Sequence, residues 1–332
     1  MYNNRIFSEG VHSVLLIRWN LRCETPLVIR NGLSVGYTEP KTPKNRGLNL
    51  KFKWAEETGE HAVSILHYGY EVNDSSISAY HFVPPSSVRG ALRSWTLNHL
   101  GKADFLSNIT PPPQEGKILL EAYLNNVQAA LADRRHGYQL VFSLFGLALD
   151  TQDASKRLGN AGRLQLETDK FNQAEVQPIA VNGIVNQGRV GPDNVNRQMT
   201  VRNPLDRLTQ ASKEGGLHHF LEFCRGTSFT VRMFILNPQG CDLGLISLWR
   251  QEMNDGLLRL GALANIGRGR VCIKEESYAL WKRRGAPDLD GFQLFTSAAN
   301  TLENEALADL WEEYTLPVDR LDNFKTYLKA HV

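Results

Sequence analysis

The stretch Val14-Leu15-Leu16-Ile17-Arg18-Trp19-Asn20-Leu21-Arg22 alternates apolar and polar side chains through most of its length. Ile17, Trp19 and Leu21 fall on one side of the alternation, and Arg18, Asn20 and Arg22 fall on the other. Successive side chains of a strand point to opposite faces of the sheet, so this pattern predicts a strand with one buried face. Residues 227–236 repeat the alternation and predict a second strand of the same kind.

Helical patterns separate the predicted strands. Serine is a favoured residue at a helix start and Pro84-Pro85 disfavours helix before it, so we expect a helix to open at Ser86-Ser87. Its buried face would carry Val88, Leu92, Trp95 and His99. The alternation of strands and helices predicts an α+β fold with helices on one face of a sheet. The remaining predicted elements are strands at 62–70, 163–166 and 270–273, and helices at 118–131, 243–260 and 302–314.

Charge is distributed unevenly along the chain. The 332 residues carry a net charge of +2, but residues 286–322 contain nine acidic residues and one basic residue. This segment is therefore −8 and the remainder is +10. A basic body favours a polyanionic partner, although a solvated basic surface would look the same in sequence.

Several protein classes are disfavoured. The longest strongly apolar stretch, 140–149, has ten residues, whereas a membrane-spanning helix needs about 20. The N-terminus leads into no apolar signal core, which predicts a cytoplasmic protein without a membrane partner. No two cysteines form a C-x-x-C pair, so we expect all four to be reduced and buried. They are Cys23, Cys224, Cys241 and Cys272.

Two segments have the chemistry of anion binding. Residues 84–93 place two serines and two arginines, Arg89 and Arg93, at a predicted helix start, where backbone amides attract anions. Residues 265–270 (NIGRGR) combine glycines, which let a backbone approach a phosphate closely, with two arginines. An ordinary capped helix and an ordinary tight turn are the alternative interpretations.

These motifs, in this order, resemble the RAMP superfamily (repeat-associated mysterious proteins), and more narrowly the backbone subunits of type III CRISPR effector complexes. Five segments carry the resemblance, in family order. They are 21–32 (LRCETPLVIRNG), 82–93 (FVPPSSVRGALR), 144–146 with 162–164 (LFG and GRL), 203–209 with 221–223 and 226–229 (NPLDRLT, LEF and GTSF), and the glycine-rich loop at 260–271 (LGALANIGRGRV).

The resemblance implies an RRM-like (ferredoxin-like) core over residues 1–285. Large insertions would lie at 31–60 and 173–202, the latter a thumb-like hairpin, and 286–332 would be an acidic helical extension. It also implies a subunit of an antiviral RNA-guided complex that holds guide RNA and target RNA beside other subunits. RNA binding would need no cofactor. The implied RNA contacts are Arg30, Asn31, Ser86, Ser87, Arg89, Arg93, Arg202, Arg207, Asn265, Arg268 and Arg270.

The sequence departs from the family at the position implied for metal-dependent target cleavage. Active members carry an aspartate shortly before the serine-containing helix, where a carboxylate would bind Mg²⁺. By spacing, that position falls near 67–69, where no aspartate stands. The nearby candidates are His67, Glu71 and Asp74, so endoribonuclease activity stays an open question at this stage.

Two other activities remain as alternatives. A metal-free endoribonuclease that processes guide-RNA precursor would use a histidine as general base, with His67, His81 and His136 as candidates by residue type. A serine hydrolase would use Ser34 in the G-x-S-x-G stretch at 32–36. That motif requires a helix directly after the serine, and Pro40 and Pro43 disfavour one.

Overall fold

The computed structural model describes residues 10–38, 51–54, 61–66, 68–73, 76–100, 138–149, 158–169, 197–202, 218–298 and 310–329. Its strands, in chain order, are β1 (Ser13–Cys23), β2 (Arg30–Thr38), β3 (Lys51–Trp54), β4 (His61–Leu66), β5 (Tyr68–Asn73), β6 (Ser76–His81), β7 (Leu147–Leu149), β8 (Leu158–Asn160), β9 (Leu164–Thr168), β10 (Arg197–Arg202), β11 (His218–Phe223), β12 (Ser228–Leu236), β13 (Val271–Arg283), β14 (Thr296–Ser297) and β15 (Trp311–Thr315). Its helices are α1 (Pro85–Leu100), α2 (Tyr138–Phe145), α3 (Gly240–Asp255) and α4 (Lys325–Lys329).

The main sheet has six antiparallel strands in the order β14-β15-β13-β1-β12-β9. Its four central strands and the two long helices come in the chain order β1, α1, β9, β12, α3 and β13. Strands β2 to β6 lie between β1 and α1, then α2, β7 and β8 between α1 and β9, and β10 and β11 between β9 and β12. The two strands predicted from strict alternation, β1 and β12, pair with each other at the centre of the sheet. The predicted α+β class with an antiparallel sheet is confirmed.

The hydrophobic core forms where the alternating strands meet the two long helices. On β1 the apolar side chains of Leu15, Ile17, Trp19 and Leu21 are buried. The same core takes in apolar side chains from α1 and α3, and the indole Nε1–H of Trp249 donates to the hydroxyl of Thr96 at 2.8 Å. This hydrogen bond joins the two helices and satisfies a buried donor that would otherwise be costly.

A second sheet has five strands in the order β10-β11-β4-β2-β3, and β5 with β6 and β7 with β8 form separate pairs. The single strand predicted at 62–70 is therefore two strands, β4 and β5, in different sheets. The insertion predicted at 31–60 begins as strand β2, which runs to Thr38. Of the thumb-like insertion at 173–202, only β10 lies within the described residues.

The C-terminal segment differs from the predicted helical extension. Trp311–Thr315, expected inside a helix, is strand β15 and pairs with β13. The open edge of β13 supplies backbone hydrogen-bond partners that outweigh the local helical pattern of this stretch. Residues 301–309 lie outside the described residues. Among its described residues, the segment is helical over the 3₁₀ turn Phe292–Leu294, the 3₁₀ stretch Val318–Phe324 and α4. The last two are adjacent in the chain. Both pack on α3, where a Cβ at Gly244 would lie 2.6 Å from the Phe324 carbonyl oxygen.

Other predictions have mixed outcomes. Helix α3 ends at Asp255, before the predicted end at residue 260. The next residue, Gly256, caps the helix with a left-handed backbone at a φ of 77°. His99 is exposed, although its spacing predicted burial. The predicted helix at 118–131 lies outside the described residues. Cys23 and Cys241 are buried, as expected, whereas the other two cysteines are half-buried. Among the described residues, no helix is long and apolar enough to cross a membrane.

Candidate nucleic-acid interface

Three segments that are distant in sequence line one groove of about 780 Å³. The connection from β1 to β2 contributes residues 28–30, helix α1 contributes one face, and the chain after α3 contributes residues from Leu257 to Ala264. The predicted serine-containing helix and the predicted glycine-rich loop therefore share a groove. This is the size range of ligand sites in proteins.

The glycine-rich loop after α3 is held in close contact with the β1–β2 connection. Ala262 N–H donates to the carbonyl of Val28 at 2.8 Å, and Gly269 N–H donates to the carbonyl of Pro26 at 2.9 Å. A Cβ at Gly261 would overlap the Val28 carbonyl oxygen, and one at Gly269 would overlap the Leu260 carbonyl oxygen. Only glycine allows these backbone segments to approach so closely. The loop is thus fixed at its base.

Two arginines brace this loop from within the fold. The Arg268 guanidinium forms an ion pair with the fully buried carboxylate of Glu222, with Nε 2.9 Å from Oε2. Glu222 also accepts a hydrogen bond from the hydroxyl of Thr200 at 2.6 Å. Arg259 donates to the carbonyls of Gly256 and Ala264. Arg268, predicted as an RNA contact, therefore has a structural partner within the fold.

The tip of the loop remains open to solvent. Residues 264–267 are all exposed, and a 3₁₀ turn, Ala264–Ile266, shapes them. Asn265, a predicted RNA contact, is one of these residues. The loop thus combines a fixed base with an accessible tip, which lets it meet a ligand without first being ordered.

Helix α1 presents a polar stripe to the groove. Ser87, Ala91, Ser94, Asn98 and His99 line it at helical spacing. Ser86 precedes them in the first turn and is exposed. Small side chains on this stripe keep the helix surface close to the loop, and the serine and asparagine groups can donate to or accept from a ligand.

A stacked pair of rings stands at the C-terminal end of that stripe. The imidazole of His99 lies parallel to the indole of Trp95, with ring centroids 4.5 Å apart and an interplanar angle of 14°. Trp95 is only 8 % exposed, and its indole Nε1–H has no hydrogen-bond acceptor among the described residues. The wall of the groove thus holds a flat, exposed ring on a buried one.

A cluster of exposed basic residues flanks the loop at the end of β1; we call it the basic rim. The carboxylate of Glu24 lies in this cluster and forms ion pairs with Arg225 at 3.8 Å and with Lys274 at 3.3 Å. The carbonyl of Arg270 accepts from Glu24 N–H, which ties the rim to the loop. The members of the basic rim are Arg22, Arg225, Arg270 and Lys274.

The rim's carboxylate stays ionised more readily than usual. A hydrogen bond from the Cys272 thiol, together with one from Lys274, holds the pKa of Glu24 below its ordinary value. Burial of the Cys272 thiol, and its bond to Glu24, raise the pKa of Cys272. Glu24 therefore offsets only one of the four positive charges, and the rim keeps a net positive charge that suits phosphate groups.

The predicted RNA contacts fall into different environments. Arg30 is exposed at the groove, with its guanidinium 5.7 Å from the centre of the Phe220 ring. Arg93 is half-buried on α1, and Asn31 and Arg202 lie in β2 and β10. Arg207 lies outside the described residues.

Two motif arginines make contacts within the fold. Arg89 donates to the carbonyl of Phe145, at the end of α2, which fits the preference of cations for helix C-termini. Arg163 is buried and forms a bidentate ion pair with the buried carboxylate of Asp242, at 2.7 Å and 2.9 Å. In the LFG and GRL segments, Gly162 packs against the Leu144 carbonyl. These segments hold the fold together.

Two of the three catalytic candidates, His67 and Asp74, lie outside the described residues, and the third, Glu71, lies in β5. No group of three histidine, cysteine, aspartate or glutamate side chains within the described residues could hold a metal ion.

The alternatives find little geometric support. His81 is 1 % exposed and packs edge-on against Phe223, so it does not face a substrate, and His136 lies outside the described residues. Ser34 lies inside β2, opposite Ser64 of β4, and a strand rather than a helix continues after it. The geometry of a nucleophile elbow is therefore missing.

Sequence reasoning missed Trp95 and His99 as ligand contacts, and of the basic rim it identified only Arg270. The i, i+4 spacing of the two rings was visible, but it indicates a shared helix face and not which ring is exposed. Arg22, Arg225 and Lys274 are scattered in sequence, and only the pairing of β1 with its neighbours brings them together.

Comparison with known proteins identifies the family of this chain. No curated protein matches the chain. The RAMP superfamily model matches residues 20–272, about three quarters of the chain, and this span contains every segment of the groove. Proteins of this superfamily generally form CRISPR complexes with RNA and other subunits. The chain belongs to the RAMP superfamily, and this membership gives it a CRISPR-associated role.

Proposed function

We propose that this chain is a guide-RNA-binding backbone subunit of a type III RNA-guided antiviral effector complex. The observation that carries the proposal is the groove between α1 and the glycine-rich loop, flanked by the basic rim. It offers hydroxyl groups and exposed cations, which are groups that hold a ribose-phosphate strand without reading its sequence. Sequence would then be read by pairing between guide and target.

The arrangement of β1, α1, β9, β12, α3 and β13, with the central order β13-β1-β12-β9, supports an RRM-like (ferredoxin-like) core. In that assignment the five-stranded second sheet belongs to the insertions. The C-terminal strands β14 and β15 then extend the core sheet beyond the family-matched span.

The proposal requires no cofactor for RNA binding. Mg²⁺ would be needed only for target cleavage, where a carboxylate would have to hold it. We expect guide binding to persist in EDTA.

Salt-dependent binding of a single-stranded guide RNA tests the proposal. Each phosphate contact on a single strand contributes about 0.7 to the slope of log affinity against log salt. The double variant Arg22→Ala, Arg225→Ala should make this negative slope shallower by about 1.4 and should weaken binding equally for RNAs of unrelated sequence. Arg225 is 75 % exposed, so its removal should leave the fold intact.

A matched control lies at the other end of β13. Arg284 is 61 % exposed and follows β13, about 40 Å along the strand from the rim by the rise per residue. Arg284→Ala should leave the slope unchanged. A wild-type chain that binds guide RNA without a salt slope, or a rim variant that binds like Arg284→Ala, would refute the proposal.

A further inference from the structure

The stacked rings of Trp95 and His99 form an ordered feature of the groove that the proposed phosphate contacts do not involve. His99 is exposed at the groove, whereas Trp95 beneath it is almost fully buried among core residues. The imidazole Nδ1–H donates to the Trp95 carbonyl at 2.8 Å, one helical turn back. A buried ring below and a hydrogen bond at its edge hold the imidazole flat, so little side-chain entropy remains to be lost on binding.

The surroundings of the exposed ring fit an unpaired nucleobase. Asn98 and Ser94 are both exposed and line the same groove as the His99 ring, so their amide and hydroxyl groups are available there. Unstacked bases of single-stranded RNA bind by stacking on aromatic side chains and by hydrogen bonds along their edges.

We infer that His99 is a stacking platform for one base of the bound RNA, with Trp95 as the fixed support beneath it. The inference rests on the proposed function and adds to it a contact with a base. The subunit would therefore distinguish a strand that carries bases from a bare ribose-phosphate chain. Because every base has an aromatic face, the contact would tolerate any sequence.

The experiment compares two ligands of equal length and charge, a single-stranded RNA oligomer and the same oligomer with all bases removed. Wild type should bind the oligomer with bases more tightly. His99→Ala should weaken that binding by about 5- to 150-fold, the range seen when one stacking ring is removed. It should leave binding of the abasic oligomer and the salt slope unchanged, because no phosphate contact is lost.

His99→Phe is the matched variant, since a phenyl ring keeps the stacking plane and loses the imidazole nitrogens. It should restore most of the affinity for the oligomer with bases. His99→Phe binding as weakly as His99→Ala would overturn the stacking assignment.

The outcomes separate this inference from the proposed function. If His99→Ala binds both oligomers as wild type does, with a normal salt slope, the stacking platform is wrong and the guide-binding function stands. If wild type binds neither oligomer, the proposed function itself fails. His99 is exposed, so urea unfolding midpoints of both variants should match wild type, and a large drop would assign the ring a structural role instead.

Discussion

Replacing Gly269 by alanine should cost much more stability than replacing Gly267, although both glycines lie in the same loop. Their φ angles are +76° and +86°, so each alanine must adopt the left-handed region at a cost of about 1 kcal/mol. At Gly267 no atom lies within 4 Å of the added Cβ. At Gly269 the Cβ would overlap the Leu260 carbonyl oxygen, well inside the 3.0 Å that real Cβ atoms keep.

Relieving that overlap would separate two backbone segments. The hydrogen bond from Leu260 N–H to the Gly269 carbonyl, at 2.9 Å, would break, with a net cost of about 1 kcal/mol. The packing of fully buried Leu260 would loosen as well. We therefore expect Gly269→Ala to lower the free energy of unfolding by about 3 kcal/mol, against about 1 kcal/mol for Gly267→Ala.

Urea unfolding followed by tryptophan fluorescence measures both variants against wild type. Because the two alanines share the same backbone cost, the difference between them isolates the close approach of the loop to its own base. Equal losses for the two variants would show that the segments around Gly269 can separate freely. The fixed base assigned to the glycine-rich loop would then be wrong.

Two further predictions concern carboxylates that have partners within the fold. Asp242→Asn should lower the free energy of unfolding by about 3 kcal/mol, because it leaves the buried Arg163 guanidinium without its carboxylate. Urea unfolding measures this loss. A loss as small as that of a typical substitution at an exposed position would contradict the prediction. A hydrogen bond from Ser247 holds the pKa of Asp322 below its ordinary 3.8, so the stability that this carboxylate contributes is complete above that value and is lost as pH falls through the lowered pKa. Asp322→Asn should therefore destabilise at neutral pH and have little effect in strongly acidic buffer, as unfolding midpoints at both pH values would show; an equal loss at both would contradict the assignment.

The sequence predicted the elements whose pattern is local and whose burial is one-sided. The alternation that defines β1 and β12 places their apolar side chains in the core, as expected. The start of α1 follows from the proline pair and the serines before any packing is considered. Helix α1 lines the groove, and its first turns (84–93) and the glycine-rich residues 265–270 were both identified from sequence as candidate anion-binding segments.

The C-terminal strands could not be predicted in the same way. β15 forms because β13 presents an unpaired edge, and that edge exists only after β13 has paired with β1. The local sequence of 302–314 carries helical signals, and a partner far away in sequence overrides them. Similarly, the exposure of His99 depends on which side of the helix end faces the groove.

The arginines show most clearly where sequence reasoning stopped. An arginine in a glycine-rich motif looks the same whether it binds a phosphate or neutralises a buried carboxylate. Arg268 and Arg163 have carboxylate partners 46 and 79 residues away in sequence, Glu222 and Asp242, and only the folded chain brings them together. The family motifs therefore contain residues that build the groove as well as residues that face it.

This division changes how substitutions in the chain should be interpreted. Arg268→Ala would remove the ion pair of a buried carboxylate, so weaker RNA binding would follow from a disturbed loop as readily as from a lost phosphate contact. The exposed members of the basic rim, such as Arg225, carry charge without bracing the loop. Electrostatic binding is therefore best measured at the rim, where a change in salt slope reports on phosphate contacts while the fold stays intact.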